Sequence, residues 1–230
     1  MVSSLDMNMG YYSTVLEEKS SKCTAFVVPW GKFRFLRLPM GISTAPDEFQ
    51  ARMQALLGDL PFVRVYLDDV LVLTETCFKD HMKELEQVFI QFKSAGLQCN
   101  AQKCNFAAYE TEYLGYNLTQ SGIQPQVKKI AAIQAIAEPV NKKELRRFIG
   151  LCNYYRDLWP QRAHTMAPLT SLCSSKVPFN WTAECQEAFE KTKSAMSRHV
   201  TLVYPDYTKP FHIYTDASKF QLGGVISQED

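Results

Sequence analysis

Residues 62 to 73 read Phe62-Val63-Arg64-Val65-Tyr66-Leu67-Asp68-Asp69-Val70-Leu71-Val72-Leu73. Two short runs rich in Val and Leu flank a pair of adjacent carboxylates. Such runs fit a half-buried pleated surface, and the Asp-Asp break between them reads as a tight turn joining two strands. Neighbouring anions repel, and desolvation at the mouth of an apolar hairpin adds to that cost. A divalent cation would offset both. The plain alternative is a solvated turn, because Asp is at home in turns. Tyr66 beside the pair and the apolar runs on either side weigh against it.

Composition bounds the rest. With 230 residues, 46% of them hydrophobic, the chain is large enough for a substantial core and for more than one structural unit. No stretch approaches the ~18 consecutive apolar residues of a membrane span, and the start lacks the basic and apolar regions of a signal peptide. The seven cysteines include no Cys-x-x-Cys pair, and Cys99 and Cys104 have no His nearby in sequence. Reduced thiols in an intracellular protein are expected, and a zinc site is not. The net charge of +1 conceals an asymmetry. Residues 1–118 carry 11 Lys/Arg and 14 Asp/Glu, a net of −3, whereas residues 119–230 carry 14 and 10, a net of +4. Residues 126–162 alone hold eight basic residues against Glu138, Glu144 and Asp157. A basic segment beside a carboxylate-bearing one suits a polyanion handled by metal chemistry, although charge runs are commonly just solvated faces.

Upstream of the hairpin, Leu5-Asp6-Met7-Asn8-Met9-Gly10-Tyr11-Tyr12 opens on an apparent strand with almost nothing before it, which suggests further chain upstream. Lys22 to Pro29 and Lys32 to Pro39 are expected to form a hairpin around Trp30-Gly31. A helix is expected from Ser43-Thr44-Ala45-Pro46 to Gly58, with Phe49, Met53, Leu56 and Leu57 as its apolar stripe. Downstream, residues 78–95 predict a second amphipathic helix through Met82, Leu85, Phe89 and Phe92, ended by Gly96. Glu112 to Leu118 reads as one strand. Helices on one face of an antiparallel sheet make this an α+β layer.

These residues carry a resemblance. Leu5-Asp6 with Gly10-Tyr11, Leu38-Pro39-Met40-Gly41 with Ala45-Pro46, Tyr66-Leu67-Asp68-Asp69, Gly96-Leu97 through Lys103-Cys104, and Tyr113-Leu114-Gly115 follow the order found in reverse transcriptases. The chain resembles those of gypsy-type LTR retrotransposons. The resemblance implies a polymerase palm with partial fingers over residues 1–118, a helical thumb over 119–175 and a linker over 176–208. At 209–230 it implies the first hairpin of an RNase H-like α/β domain. It also implies RNA-directed DNA synthesis from dNTPs on an RNA or DNA template with a primer, alongside other pol domains such as RNase H and integrase, with no membrane.

Phosphodiester formation by two metals needs carboxylates that clamp ions ~3.5–4 Å apart. On the resemblance, Asp6 and Asp68 are the bridging ligands, Asp69 is the third carboxylate, and Mg²⁺ (or Mn²⁺) is the ion. Met9 and Gly10 would present backbone N–H groups to the triphosphate, and Tyr11 would exclude a ribose 2′-hydroxyl. Met40 and Gly41 would line the nucleotide pocket. Lys103 would protonate the leaving pyrophosphate, unless it is an ordinary surface lysine. Tyr66, Leu114 and Gly115 would contact the primer. The spacing around Gly10 also fits an ordinary strand end with buried tyrosines.

Beyond Leu118, Ser121-Gly122 reads as a linker and Gln126–Ala137 as a short helix. Asn141-Lys142-Lys143-Glu144 is capping-box-like, and the helix it starts places Leu145, Phe148, Ile149 and Cys152 on one face. Arg146, Gly150 and Tyr154, four apart, share another face. By resemblance that face follows the duplex minor groove; the alternative is a helix pair with a solvated basic face. A helix is expected over 178–199 with Thr182 as its cap. Two strands should follow, the first carrying Asp216, which matches the first RNase H metal ligand. The family's N-terminal fingers are absent, so the chain is expected to bind template–primer weakly and with strong salt dependence, to polymerise poorly or not at all, and not to cleave the RNA of a hybrid. Two other classes stay open. One is an inactive nucleic-acid-binding remnant of a retroelement. The other is a nuclease or cyclase on the same palm, which has no need of a primer grip or thumb.

Overall fold

A computed structural model of the protein describes residues 1–159, 162–197, 201–217 and 222–228. It forms two compact units, Met1–Leu114 and Gly115–Asp230. Within the first unit the strands are β1 (Val2–Asp6), β2 (Phe26–Val28), β3 (Gly31–Phe33), β4 (Val63–Tyr66), β5 (Asp69–Leu73), β6 (Asn105–Ala108) and β7 (Thr111–Tyr113). Its helices are α1 (Glu18–Cys23), α2 (Ala45–Leu57) and α3 (Phe78–Ala95). One antiparallel sheet runs in the order β4-β5-β1-β6. Alternation along the strands turns Leu5, Val63, Val70 and Val72 into a core shared with Phe49, Met53 and Leu57 of α2 and Leu85, Val88 and Phe92 of α3. Burying each such side chain contributes roughly 1.5–3 kcal/mol. The helices therefore cover one face of the sheet, and the other face carries buried Val2 and Leu71 toward one end and Asp6 and Asp69 toward the other.

Several elements differ from the sequence expectation. Residues 18–23 are helical, so the β2–β3 hairpin is short, and Val28 pairs with Gly31 around Pro29 and Trp30. Thr44 occupies the cap of α2 without a side-chain capping bond. The buried stripe of α3 is His81, Leu85, Val88 and Phe92, whereas Met82 and Phe89 are exposed. The stripe was misread because a histidine holds one of its places. Ser3 Oγ lies 2.7 Å from His81 Nε2 and Thr74 Oγ1 lies 2.6 Å from Nδ1, so the buried ring is fully hydrogen-bonded. The single strand expected from Glu112 is broken at Leu114 and Gly115. Both adopt left-handed backbone (φ 45° and 77°), which a pleated strand cannot continue.

In the second unit, β8 (Tyr116–Thr119) and β9 (Gly122–Pro125) pair as a hairpin, so Ser121 lies in its turn and Gly122 opens β9 rather than forming a linker. Then come α4 (Val127–Gln134), α5 (Lys142–Tyr154), α6 (Arg162–Leu172), α7 (Ala183–Ser197) and the hairpin of β10 (His212–Ala217) with β11 (Leu222–Ser227). At the start of α5, Asn141 Oδ1 accepts the Glu144 N–H at 2.9 Å. The Glu144 carboxylate accepts the Val140 N–H at 3.0 Å, one residue earlier than the usual reciprocal bond. Thr182 Oγ1 caps α7 by accepting the Cys185 N–H at 3.3 Å. The helix α6 went unread because Pro168 lies inside it, and proline signals a break. Cys185, Ala188, Phe189 and Met196 of α7, from the segment read as a linker, pack into the same core as Leu145, Phe148 and Cys152 of α5. The rings of Phe148 and Phe189 lie 4.6 Å apart. Among the described residues no helix is long and apolar enough to cross a membrane.

Candidate active site

On the face of the first unit's sheet away from α2 and α3, Tyr66 of β4 stands opposite Asp69 of β5, which stands opposite Asp6 of β1. Directly opposed residues place their Cβ atoms about 4.5–5.5 Å apart on one face. Asp6 and Asp69 are thus brought together by register alone. Asp68 sits with Leu67 in the two-residue loop between Tyr66 and Asp69, off the sheet, so strand parity does not assign it a face. Its carbonyl accepts the Met7 N–H at 3.1 Å, which ties the loop to the chain just past Asp6. Burial raises the pKa of Asp69 above the ordinary carboxylate value, and the negative charges of Asp68 and Asp6 add to the shift. Burial also raises Tyr11, helped by the charge of Asp68. The three carboxylates and Tyr11 therefore share one electrostatic neighbourhood.

A turn at residues 100–104 closes the site. The Asn100 N–H donates to the Asp6 carbonyl at 2.9 Å, and the Lys103 and Cys104 N–H groups donate to the Asn100 carbonyl. Lys103 Nζ thereby stands 3.5 Å from both carboxylate oxygens of Asp6. A small cavity of about 120 Å³ is lined by Asp6, Asp69, Lys103, Glu112, Tyr113 and Leu114. Burial, with the charge of Asp69 next, pushes the Tyr113 hydroxyl up to about 12, so it stays protonated as a donor. Burial likewise pushes Cys99 up to about 12, which leaves it a protonated thiol.

The remaining residues expected to line a nucleotide site sort by environment. Gly10 is buried, and a Cβ there would lie 2.6 Å from Phe49 Cζ, so glycine is required by packing on that ring. The Tyr11 ring rests 5.1 Å from Phe49 and is partly buried against the core. Met9 (φ 51°) and Met40 are exposed, and Gly41 takes φ 94° with open space around it.

In the second unit, Arg146 Nη2 donates to the Cys173 carbonyl at 2.9 Å, capping the end of α6. Arg147, which the sequence reading passed over, lines a groove of about 1020 Å³ between α4 and α5 together with Lys129, Gly150, Leu151 and Tyr154. Gly150 has no atom within 4 Å of a would-be Cβ. Half-exposed Tyr154 stacks on Tyr116 with ring centroids 5.5 Å apart. A Cβ on Gly115 would meet the Tyr154 ring at 3.1 Å. Asp216 lies opposite Gly223 in the β10–β11 hairpin, and its side chain is outside the described residues. Two residues gave no motif signal: Gln50, whose amide reaches the carboxylate turn, and Glu112, an acidic residue on a short strand.

The donors around Asp69 are hard carboxylate oxygens with unbalanced negative charge, which is the chemistry that takes Mg²⁺. Among the described residues no three His, Cys, Asp or Glu side chains already stand as a metal-ligand group. An antiparallel sheet covered on one face by two helices, with carboxylates gathered at one hairpin turn, has the α+β architecture of a polymerase palm. Residues 1–118 match the family described as reverse transcriptase (RNA-dependent DNA polymerase), and the chain belongs to that family. Residues 181–230 match the RNase H-like domain found in reverse transcriptase. Both families generally depend on divalent metals.

The relatives are polyproteins. The Retrovirus-related Pol polyprotein from transposon 412 of Drosophila melanogaster is 39% identical over 98% of this chain and 18% of its own length. The Transposon Tf2-3 polyprotein of Schizosaccharomyces pombe is 32% identical over 98% of this chain and 17% of its own. The chain thus spans about a fifth of the curated relatives it matches. Among solved structures, a foamy viral protease-reverse transcriptase in complex with RNA/DNA hybrid superposes with a TM-score of 0.86 at 30% identity, covering 99% of this chain and 31% of that one. The foamy viral protease-reverse transcriptase in complex with dsDNA gives 0.88 at 29%, covering 99% and 48%.

Proposed function

We propose that the chain is the palm and thumb portion of an RNA-directed DNA polymerase that adds dNTPs to a primer on an RNA or DNA template. The observation that carries this reading is the register pairing Asp6 with Asp69 beside the Asp68 turn. Mg²⁺ bound by Asp6, Asp68 and Asp69 would supply the Lewis acidity that activates the primer hydroxyl and steadies the leaving phosphate. The chain's own residues do the rest. Lys103, tethered beside Asp6, reaches toward the phosphates and donates a proton to departing pyrophosphate. Tyr11, held against Phe49, closes the wall where a 2′-hydroxyl would go. Met9 and Gly10 flank the triphosphate, Met40 and Gly41 border the nucleotide, and Tyr66, Leu114 and Gly115 hold the primer end. The exposed face of α5 at Gly150 and Tyr154 rests on the duplex.

Residues 1–118 act as palm with partial fingers and the helices after them as thumb. The last hairpin opens an RNase H-like domain in which Asp216 is one ligand. RNase H and integrase activities belong to the longer polyprotein, working inside the cell.

The test is extension of a primer on an RNA template with dNTPs and Mg²⁺ by a longer chain that includes the family's fingers segment, comparing wild type with Asp68→Asn, with duplex affinity followed by fluorescence anisotropy. Extension abolished by Asp68→Asn is expected; extension indifferent to it refutes the assignment. Duplex binding without any extension by that longer chain favours a second reading, a catalytically inactive nucleic-acid-binding remnant. Its supporting observation is that the described carboxylates are not already assembled as a metal-ligand group.

A further inference from the structure

We infer that Gln50 is a positioning residue that presets the turn carrying Asp68 and Asp69. The inference rests on the reading of those carboxylates as metal ligands. From α2, Gln50 Oε1 accepts the Leu67 N–H at 2.6 Å, and Gln50 Nε2 donates to the Val65 carbonyl at 3.3 Å. One side-chain amide thus bridges the end of β4 and the first residue of the two-residue loop.

That loop needs support. Leu67 takes φ 53°, a left-handed backbone that glycine adopts freely and that L residues other than Asn and Asp resist. Asp68 does not share the positive φ, and a two-residue hairpin turn with positive φ at its first place alone usually carries Gly there. Leu67-Asp68 has no such freedom at its first place. The clamp comes from a rigid element, because Phe49, Met53 and Leu57 bury α2 against the sheet. Without the amide, Leu67 is free to relax toward right-handed backbone. The peptide plane before Asp68 then turns, and the Asp68 carbonyl leaves the Met7 N–H it accepts at 3.1 Å. Both the loop carboxylate and the chain next to Asp6 move with it.

Gln50 touches no substrate, so its test reads metal binding and local exchange rather than turnover. The 230-residue chain is titrated with Mn²⁺ alone, free ion being counted by electron paramagnetic resonance, with circular dichroism and a melting curve for every variant. Gln50→Met keeps length and loses both hydrogen bonds. It is expected to weaken Mn²⁺ binding on the order of tenfold or more, the scale on which residues supporting metal ligands act, while the fold persists. The Leu67 amide should lose its protection from hydrogen exchange at the same time. Leu67→Asn relieves the left-handed backbone, so Gln50→Met in that background should cost only about threefold or less, a coupling that general destabilisation does not produce. Wild-type Mn²⁺ affinity in Gln50→Met, or equal losses in both backgrounds, overturns the inference alone. A wild-type chain that binds no Mn²⁺ overturns the carboxylate reading and this inference with it.

Discussion

Replacing Gly150 with Ala separates the stability of the second unit from its function. Gly150 lies in the interior of α5, and an added Cβ meets nothing within 4 Å. Glycine in a helix interior costs roughly 0.5–1 kcal/mol relative to alanine, mostly as freedom in the unfolded chain. With no clash to set against that gain, Gly150→Ala should stabilise the unit by about the same amount. For a unit of this size that raises its melting temperature by roughly 2–6 °C. The same methyl stands where the proposed duplex would lie. An uncompensated methyl at a close contact typically costs about 1–3 kcal/mol, so template–primer affinity should fall about five- to 150-fold. The methyl is neutral, so the salt slope of binding should not change. Calorimetry and fluorescence anisotropy at several salt concentrations read both effects on one preparation. A stabilised variant that binds duplex as tightly as wild type would refute the placement of this face on nucleic acid.

Three other substitutions follow the same logic. Gly10→Ala drives a Cβ to 2.6 Å from Phe49 Cζ and should destabilise the first unit by about 1–3 kcal/mol, with Phe49→Leu restoring most of the loss in melting curves. Arg147→Ala should lower the salt slope of duplex binding by about one, whereas Arg146→Ala should leave that slope intact and loosen the end of α6 at Cys173; a slope that follows Arg146 instead would reverse the two roles. Burial lowers the pKa of His81 below its ordinary 6.5, so unfolding takes up a proton as the pH drops. Its contribution to stability is therefore present above 6.5 and lost as pH falls from there toward the folded value, and His81→Gln should flatten that decline in melting curves taken from pH 7.5 to 5.

The first unit was largely legible because its signals are local. The Val- and Leu-rich runs around Asp68-Asp69 form strands, and the α3 boundaries fall where Gly96 and the apolar period place them. What escaped depends on partners distant in sequence. His81 counts as polar in any periodic reading, yet Ser3 and Thr74 make it a core residue. Gln50 is one polar helix position among several until β4 arrives beneath it. Arg146 and Arg147 are indistinguishable in the sequence, and only the carbonyl at the end of α6 separates a capping arginine from one lining the groove. Pro168 concealed α6 because its helical neighbours, Met166 and Leu169, owe their burial to α5 and α7 rather than to local propensity.

The pairing of Leu5 with Val70 and of Asp6 with Asp69 puts core and chemistry on one ruler. A slip of a single residue between β1 and β5 would turn the carboxylates into the helices and the core leucine and valine into solvent. Chemistry and folding therefore fail together under any one-residue insertion in either strand. A copy of this gene damaged there should yield an unfolded chain, whereas, on the proposed role of the two aspartates, point changes at Asp6 or Asp69 should leave a folded and silent one. Inactive yet folded descendants should accordingly carry substitutions at these aspartates and keep the spacing of the strands that bear them.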